Sequence, residues 1–194
     1  MRLEETVTYL EMTDRSQLVP AKAPSVKVDI QQAEIACPEL NRFFYTAIGG
    51  DWHWIDRLSW SYEQWLAFIT RPGYETWVAL LKGNPVGYFE LDGVSSDDVE
   101  IAYFGILPQF TGRGIGGYLL TAAVERAWQK ATKRVWVHTS SFDHPHAFGN
   151  YRARGFRVAR TVTAPKVLPE KPPGPWPEAN RPRGLRATPL SMER

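Results

Sequence analysis

The stretch VEIAYFGILPQFTGRGIGG, residues 99–117, decides how this chain folds. Its first six residues are β-branched, aromatic or small, apart from Glu100, and this composition predicts a strand. Four glycines then fall within six positions, and apolar residues follow them at the spacing of an amphipathic helix. The stretch therefore predicts a strand, a turn and the glycine-rich start of a helix.

A glycine-rich turn that leads into a helix is suited to binding an anion. The first turn of a helix leaves backbone N–H groups without partners, and the helix dipole makes that end electropositive. Glycines let the backbone approach a ligand closely, and Arg113 adds a positive charge at the same place. We therefore expect this loop to hold a pyrophosphate.

Two other phosphate-binding patterns fit this loop less well. Residues 112–117 match the dinucleotide fingerprint G-x-G-x-x-G. That fold needs an acidic residue about 20 positions on, near the end of the next strand. The next predicted strand, RVWVHT at residues 134–139, carries no acid, and no Gly-Lys-Ser/Thr closes the loop as in the Walker motif. A nicotinamide-dependent oxidoreductase is therefore a weak alternative.

Two motifs resemble those of the GNAT N-acetyltransferases. The sequence QFTGRG, residues 109–114, resembles the family's Q/R-x-x-G-x-G/A motif, and AFGNYRARGF, residues 147–156, resembles its closing helix. The resemblance covers residues 78–158 well, with both motifs at the family's usual separation. It implies an α/β (α+β) GNAT fold: a central mixed, mostly antiparallel twisted sheet of six to seven strands, flanked by about four helices and splayed at the acetyl-CoA site.

The resemblance also implies acetyl-CoA as co-substrate and no metal. The residues expected to contact acetyl-CoA are Ile106, Gln109, Gly112, Arg113, Gly114, Ile115, Gly116, Gly117, His144 and Asn150. The position of His144 is commonly an asparagine in the family. His146 and Asp143 lie beside it, but metal sites usually need three or four converging ligands, and the sequence has no other His/Cys cluster.

Two residues are expected to carry the chemistry. A carboxylate within an apolar strand is costly unless it has a task or a partner, and Glu100 therefore suits a general base. Alternation would place Glu100, Ala102 and Phe104 on one strand face. The resemblance implies that Glu100 takes the amine proton, directly or through water, and that Tyr151 protonates the leaving thiolate. A solvent-facing or ion-paired Glu100 and a merely packing Tyr151 are the alternatives.

Residues 51–65 hold four of the chain's eight tryptophans. In the GNAT family the region between the first two helices commonly covers the acceptor. Trp52, Trp54 and Asp56 are therefore expected to bind the amine, because aromatic faces and a carboxylate both attract an ammonium group. The alternative is that these rings pack the helices on the sheet.

Composition limits the partners of the 194-residue chain. A net charge of +2 provides no strong field for nucleic acid. The single cysteine, Cys37, excludes an internal disulfide and fits a reducing compartment. The N-terminus has acids where a signal peptide would be apolar, and no apolar run approaches the roughly 18 residues of a membrane span. We therefore expect a cytoplasmic protein with no nucleic-acid or membrane partner; a homodimer is a further expectation from the family.

Proline content divides the chain. Residues 1–163 are predicted to form a single domain whose last strand spans residues 156–162. Residues 164–194 hold eight prolines and are predicted to form an extended or disordered tail, with Trp176 as its one large anchor and four arginines towards its end.

These observations together predict an N-acetyltransferase. It would move the acetyl group of acetyl-CoA to a primary amine, a small molecule, by direct attack in a ternary complex. The alternative is a catalytically inactive acyl-CoA-binding module that regulates a partner. The presence of both Glu100 and Tyr151 favours the enzyme.

Overall fold

The structure, a computed structural model, describes residues 1–93, 97–131 and 133–174. The elements in these ranges are β1 (Arg2–Met12), β2 (Asp29–Gln32), α1 (Pro38–Gly49), α2 (Tyr62–Ile69), β3 (Tyr74–Leu81), β4 (Asn84–Asp92), β5 (Asp98–Ile106), α3 (Ile115–Trp128), β6 (Arg134–Ser140), α4 (Ala147–Ala153) and β7 (Arg157–Val167). The predicted strand, turn and helix at residues 99–117 are confirmed as β5, a short 3₁₀ turn and α3. The predicted numbers of strands and helices are also confirmed.

All seven strands form one mixed sheet in the order β2-β3-β4-β5-β6-β1-β7. Neighbouring strands run antiparallel except β5 and β6, which are parallel and are connected through α3. The β5–β6 ladder pairs only residues 98–100 with residues 134–136, although both strands continue. The two strands therefore separate towards their C-terminal ends, and the predicted splay is confirmed.

Helices cover both faces of the sheet. Thr76 of β3 accepts a hydrogen bond from Asn41 of α1, whereas its neighbour Glu75 forms an ion pair with Arg126 of α3. Successive residues of a strand point to opposite faces, so α1 and α3 lie on opposite sides. Leu119, Leu120 and other apolar residues of α3 are fully buried in the main core, which holds the helix start beside the end of β5.

A β-bulge in β5 corrects the predicted alternation. Glu90 of β4 lies opposite Tyr103, yet the next residue of β4 lies opposite Ile101, which leaves Ala102 as the extra residue. Asp92 then lies opposite Glu100. Glu100 therefore shares a face with Tyr103 rather than with Phe104, because one inserted residue reverses the alternation. A strict two-residue alternation, as assumed from the sequence, could not reveal this bulge.

A buried charge pair anchors the segment between α1 and α2. The Arg57 guanidinium lies 3.1 Å from the Glu90 carboxylate, with the two side chains 7% and 1% exposed. Asn41 and Tyr74 also donate hydrogen bonds to that carboxylate. Four rings surround the guanidinium, with their centroids 4.0–5.5 Å from its central carbon: Trp60, Trp65, Phe68 and Tyr103. Two of the four tryptophans in residues 51–65 therefore pack around the guanidinium of Arg57.

The last strand extends beyond the predicted boundary at residue 163. β7 continues to Val167, and its residues 164–167 pair with the start of β1. Proline is tolerated there because β7 is an edge strand, so Pro165 needs no ladder hydrogen bond on its open side. Trp176 and the arginines near the C-terminus lie outside the described residues. Within the described ranges, none of the helices is long and apolar enough to cross a membrane.

Removing one member of the buried pair should destabilise the fold strongly. R57M leaves the Glu90 carboxylate buried without its cation, and we expect it to lower the free energy of unfolding by about 3–5 kcal/mol. Urea denaturation provides the measurement. The matched control is K133A, which removes an exposed ion pair with Asp97 and should cost under about 1 kcal/mol. A similar small loss for R57M would show that the pair does not anchor this segment.

Candidate functional site

The glycine loop presents a helix start that no side chain caps. Gly114 is the N-cap of α3 and has a φ of 76°, a left-handed conformation that costs glycine little; Gly112 has the same φ. Within the described part of the chain, no side chain accepts a hydrogen bond from the N–H groups of this first turn. The first N–H groups of this 14-residue helix therefore remain available to a ligand, with the positive end of the helix dipole behind them.

A pocket of about 520 Å³ lies against this helix start and is named here the glycine-loop pocket. It runs from the loop along the end of β5 to the segment before α4. The residues that line it include Gly105, Ile106, Gly112, Gly114, Gly116, Gly117, His144, Asn150 and Tyr151. A pocket whose lining includes the helix start suits a ligand with a phosphate group.

Backbone groups at the end of β5 face the gap between the strands. Leu107 donates its N–H to the carbonyl of Val86 on β4, so this residue hydrogen-bonds towards β4. Backbone groups of successive strand residues point to opposite sides, so those of Ile106 point towards β6. The β5–β6 ladder has already ended there. The Ile106 amide therefore faces the glycine-loop pocket rather than a neighbouring strand.

A second, smaller pocket of about 200 Å³ lies in the splay itself. Half of its twenty lining residues carry an aromatic or imidazole ring, and it is named here the aromatic pocket: its rings belong to Tyr9, Tyr45, Trp52, His53, Trp54, Tyr103, Phe104, His138, Phe142 and Tyr151. The two pockets share five lining residues, namely Trp52, Trp54, Phe104, Asp143 and Tyr151. Two molecules bound in the two pockets would therefore meet at these five residues.

Asp143 fixes Trp54 over the junction of the two pockets. One carboxylate oxygen of Asp143 accepts a hydrogen bond of 3.0 Å from the Trp54 indole N–H. The other accepts hydrogen bonds from the Thr139 hydroxyl and the Ser140 amide, both 2.8 Å long. The other side of the indole packs on Gly49, where a Cβ atom would lie 2.2 Å from the ring. The segment before α2 is thereby tied to the segment after β6.

Tyr151 lies on α4 at the same junction. The residue is 5% exposed, and its ring packs edge-on against Phe104 and Phe156. Burial, with a smaller contribution from the Asp143 charge, raises the pKa of Tyr151 well above its ordinary value. The phenol therefore keeps its proton at neutral pH and is available as a donor to either pocket.

Glu100 lies near the aromatic pocket without lining it. Its carboxylate oxygen is 2.9 Å from Nδ1 of His138, a residue of β6 that does line the pocket. The Glu100 side chain is 18% exposed. The predicted carboxylate is therefore present on the central strand, but the imidazole of His138 is the group of this pair that faces the pocket.

The structure brings most of the predicted site residues together. Ile106, the four loop glycines, His144 and Asn150 line the glycine-loop pocket, and Trp52, Trp54 and Asp56 line the aromatic pocket. Gln109 is exposed outside both pockets, and the side chain of Ile115 is buried in the core. Arg113 lies beside Phe110, with its guanidinium 5.9 Å from that ring, rather than in the pocket lining.

Sequence reasoning missed two residues of the site. Local sequence shows Asp143 only as a neighbour of two histidines, because its partner Trp54 lies 89 positions away. His138 had a readable signal: strand alternation places Arg134, Trp136 and His138 on one face of β6, and a histidine there adjoins the strand that carries Glu100. Among the described residues, no group of three or more His, Cys, Asp or Glu side chains could hold a metal ion.

Removing the Asp143 carboxylate should release Trp54. D143A deletes the acceptor of three hydrogen bonds, and we expect a loss of about 1–3 kcal/mol in stability. Two-dimensional NMR of the tryptophan indole N–H groups measures the local effect: the Trp54 resonance should shift and exchange faster with water. D56N is the control, because Asp56 is exposed and does not contact the indole. An unchanged Trp54 resonance in D143A would contradict the clamp.

Comparisons with known proteins agree with this geometry. The sequence profile described as the acetyltransferase (GNAT) family matches residues 34–156, which is more than half of the chain. No curated protein sequence matches the chain.

Solved structures share the fold at low identity. A GCN5-related N-acetyltransferase from Sphaerobacter thermophilus has a TM-score of 0.61 at 18% identity over 85% of this chain and 52% of its own. One from Kribbella flavida has a TM-score of 0.58 at 17% identity over 81% and 56%. A GNAT family acetyltransferase from Elizabethkingia anophelis with acetyl-CoA bound has a TM-score of 0.50 at 21% identity over 69% and 78%. The chain spans about half the length of the first two. The chain belongs to the GNAT acetyltransferase family.

Proposed function

We propose that this protein transfers the acetyl group of acetyl-CoA to the primary amine of a small molecule. The observation that carries the proposal is the junction of two pockets at Tyr151, Asp143 and the clamped Trp54. The glycine-loop pocket has the features of a cofactor cleft. The aromatic pocket is smaller and is lined by rings and carboxylates. A group-transfer enzyme needs two such sites that meet at the reacting atoms.

The glycine-loop pocket is the proposed acetyl-CoA site. The N–H groups at the start of α3 bind the pyrophosphate, and Gly112, Gly114, Gly116 and Gly117 allow its close approach. Asn150 and His144 also line this pocket. The Ile106 amide, which faces the gap between β5 and β6, donates to the thioester carbonyl and stabilises the negative charge that develops on its oxygen.

The aromatic pocket is the proposed amine site. Trp52 and Trp54 supply ring faces, and Asp56 supplies a carboxylate that is 69% exposed and only loosely paired with Lys166, 3.9 Å away. An amine that arrives as an ammonium ion is attracted by both. The pocket volume of about 200 Å³ favours a small acceptor over a folded protein surface.

Tyr151 at the junction and the nearby Glu100–His138 pair perform the acid–base work. The bound ammonium first loses one proton to solvent. The nitrogen of the free amine then forms a bond to the acetyl carbon, the carbon–sulfur bond breaks, and CoA leaves with the electron pair of that bond. Glu100 and His138 form the basic pair that receives the amine proton. Tyr151, kept protonated by burial, donates to the departing sulfur. No covalent intermediate with the protein is required, because the pockets position both reactants together.

Ligand-dependent unfolding tests the cofactor site. Acetyl-CoA and CoA at 100 times their dissociation constants should each add about 2.7 kcal/mol to the stability of the folded protein. NAD is the control for the dinucleotide alternative and should add nothing. Stabilisation by NAD alone, or by none of the three at millimolar concentration, would refute the acetyl-CoA site.

Thiol release with a panel of acceptors tests the reaction. Phenethylamine, spermidine, kanamycin and lysine cover aromatic, polyamine, aminoglycoside and amino-acid amines. We expect the protein to release CoA with at least one of them and to form the N-acetyl product, as identified by mass spectrometry. Binding of acetyl-CoA without acetylation of any amine would instead favour the inactive acyl-CoA-binding module.

Tyr151 provides a further prediction. Y151F keeps the ring that packs on Phe104 and Phe156 but removes the donor, so kcat should fall by about 10²-fold while acetyl-CoA affinity stays unchanged. Steady-state kinetics and cofactor titration measure the two quantities. F148L, on the exposed side of the same helix, is the matched control and should leave both unchanged. An unaltered kcat in Y151F would leave Tyr151 with a packing role.

A further inference from the structure

His138 stands between Glu100 and the aromatic pocket. It lies on β6 two residues beyond Trp136, the last residue that pairs with β5, so its side chain lies where the splay has begun. The side chain is 45% exposed and lines the pocket, whereas Glu100 is absent from the lining. The imidazole of His138 is therefore nearer than the Glu100 carboxylate to an amine bound in this pocket.

The hydrogen bond to Glu100 decides which ring nitrogen of His138 carries the hydrogen. A carboxylate only accepts hydrogen bonds, so at 2.9 Å from Glu100 the Nδ1 atom of His138 carries the hydrogen. In the neutral imidazole the lone pair then lies on Nε2. The ring also contacts Tyr9 on β1, at a centroid distance of 5.8 Å, and Trp136, at 6.2 Å. These contacts restrict rotation of the imidazole, and Nε2 is the ring nitrogen that is not bonded to Glu100.

The surroundings of His138 increase its basicity. The hydrogen bond with Glu100 raises the pKa of His138 above its ordinary value, in spite of the desolvation that lowers it, and the charges of Asp143 and Glu5 add to the rise. The charged groups that face the same pocket are Glu5 of β1, Asp56 before α2, Asp143 after β6 and Lys166 of β7. Carboxylates outnumber cations among them, so an imidazolium formed here is stabilised.

We infer that Nε2 of His138 takes the proton of the acceptor amine and that Glu100 acts as the positioning residue for this imidazole. This inference rests on the proposed acetyl transfer. As the nitrogen–carbon bond forms and the carbon–sulfur bond breaks, the amine N–H proton passes to Nε2. Nδ1 keeps its own hydrogen, which remains hydrogen-bonded to Glu100. The positive charge then rests on the imidazolium beside a carboxylate. The departing CoA thiolate takes the hydroxyl proton of Tyr151 and leaves as the thiol; the Tyr151 phenolate then regains a proton from solvent, and the imidazolium gives its proton to solvent.

The pH dependence of kcat separates this arrangement from direct catalysis by Glu100. The measurement uses the amine from the panel that the wild-type protein acetylates, at saturating concentrations, with H138Q and E100Q. Wild-type kcat should rise with pH as His138 loses its proton. In H138Q, kcat should no longer rise with pH and should be about 10²–10⁴-fold lower than in the wild-type protein. E100Q should keep the rise but shift it to lower pH, because removal of the negative charge lowers the pKa of His138.

A spectroscopic titration provides a readout that does not depend on turnover. The ring proton signals of His138, assigned by their absence in H138Q, should titrate above the ordinary pH range of histidine in the wild-type protein and lower in E100Q. E11Q is the matched control, because Glu11 is a carboxylate of the same sheet that pairs with Arg134 outside the aromatic pocket. It should change neither the titration nor the kinetics.

The outcomes distinguish the inference from the proposed function. A wild-type pH profile in H138Q, or loss of the rise in E100Q with its retention in H138Q, would overturn the role of His138 while acetyl transfer stands. If the wild-type protein acetylates none of the amines, the proposed function fails and the role of His138 falls with it. Acetyl-CoA should stabilise H138Q and the wild-type protein equally, which shows that the variant keeps its fold and its cofactor site.

Discussion

The early end of the β5–β6 ladder is the constraint on which the rest of the site depends. Two parallel neighbours pair over three residues and then diverge, so backbone groups near the end of β5 face a gap rather than a strand. Backbone N–H and C=O groups require partners, and a gap of this kind is stable when ligands or solvent can supply them. The same gap holds the aromatic pocket, which shares five lining residues with the glycine-loop pocket at the helix start of α3.

Polar contacts connect the segment before α2 both to the segment after β6 and to β4, and so link the two sides of this gap. Trp54 reaches from the segment before α2 to Asp143 after β6, and the buried Arg57–Glu90 pair fixes the root of that segment on β4. The aromatic rings of the segment thus divide into two groups. Trp60 and Trp65 enclose Arg57, whereas Trp52 and Trp54 line the aromatic pocket. Cation–π contact serves stability in the first group and is proposed for recognition in the second.

Elements with strong local signals could be predicted from the sequence. The strand, the glycine turn and the helix at residues 99–128 each follow from local spacing. Features that arise from pairing could not be predicted. The bulge at Ala102 appears only when β4 is aligned beside β5, and β7 passes through Pro165 because it is an edge strand.

The sequence by itself determined the fold family, the position of the glycine loop and the presence of a tyrosine on α4. Each of these depends on residues that are close together in the chain. Only the tertiary structure decided which side chains meet across the splay. The Trp54–Asp143 and Glu100–His138 contacts join residues 89 and 38 positions apart, and strand register brings the second pair together. A carboxylate, an imidazole or an indole acquires its role from its partner, and the partner is fixed by packing rather than by local spacing.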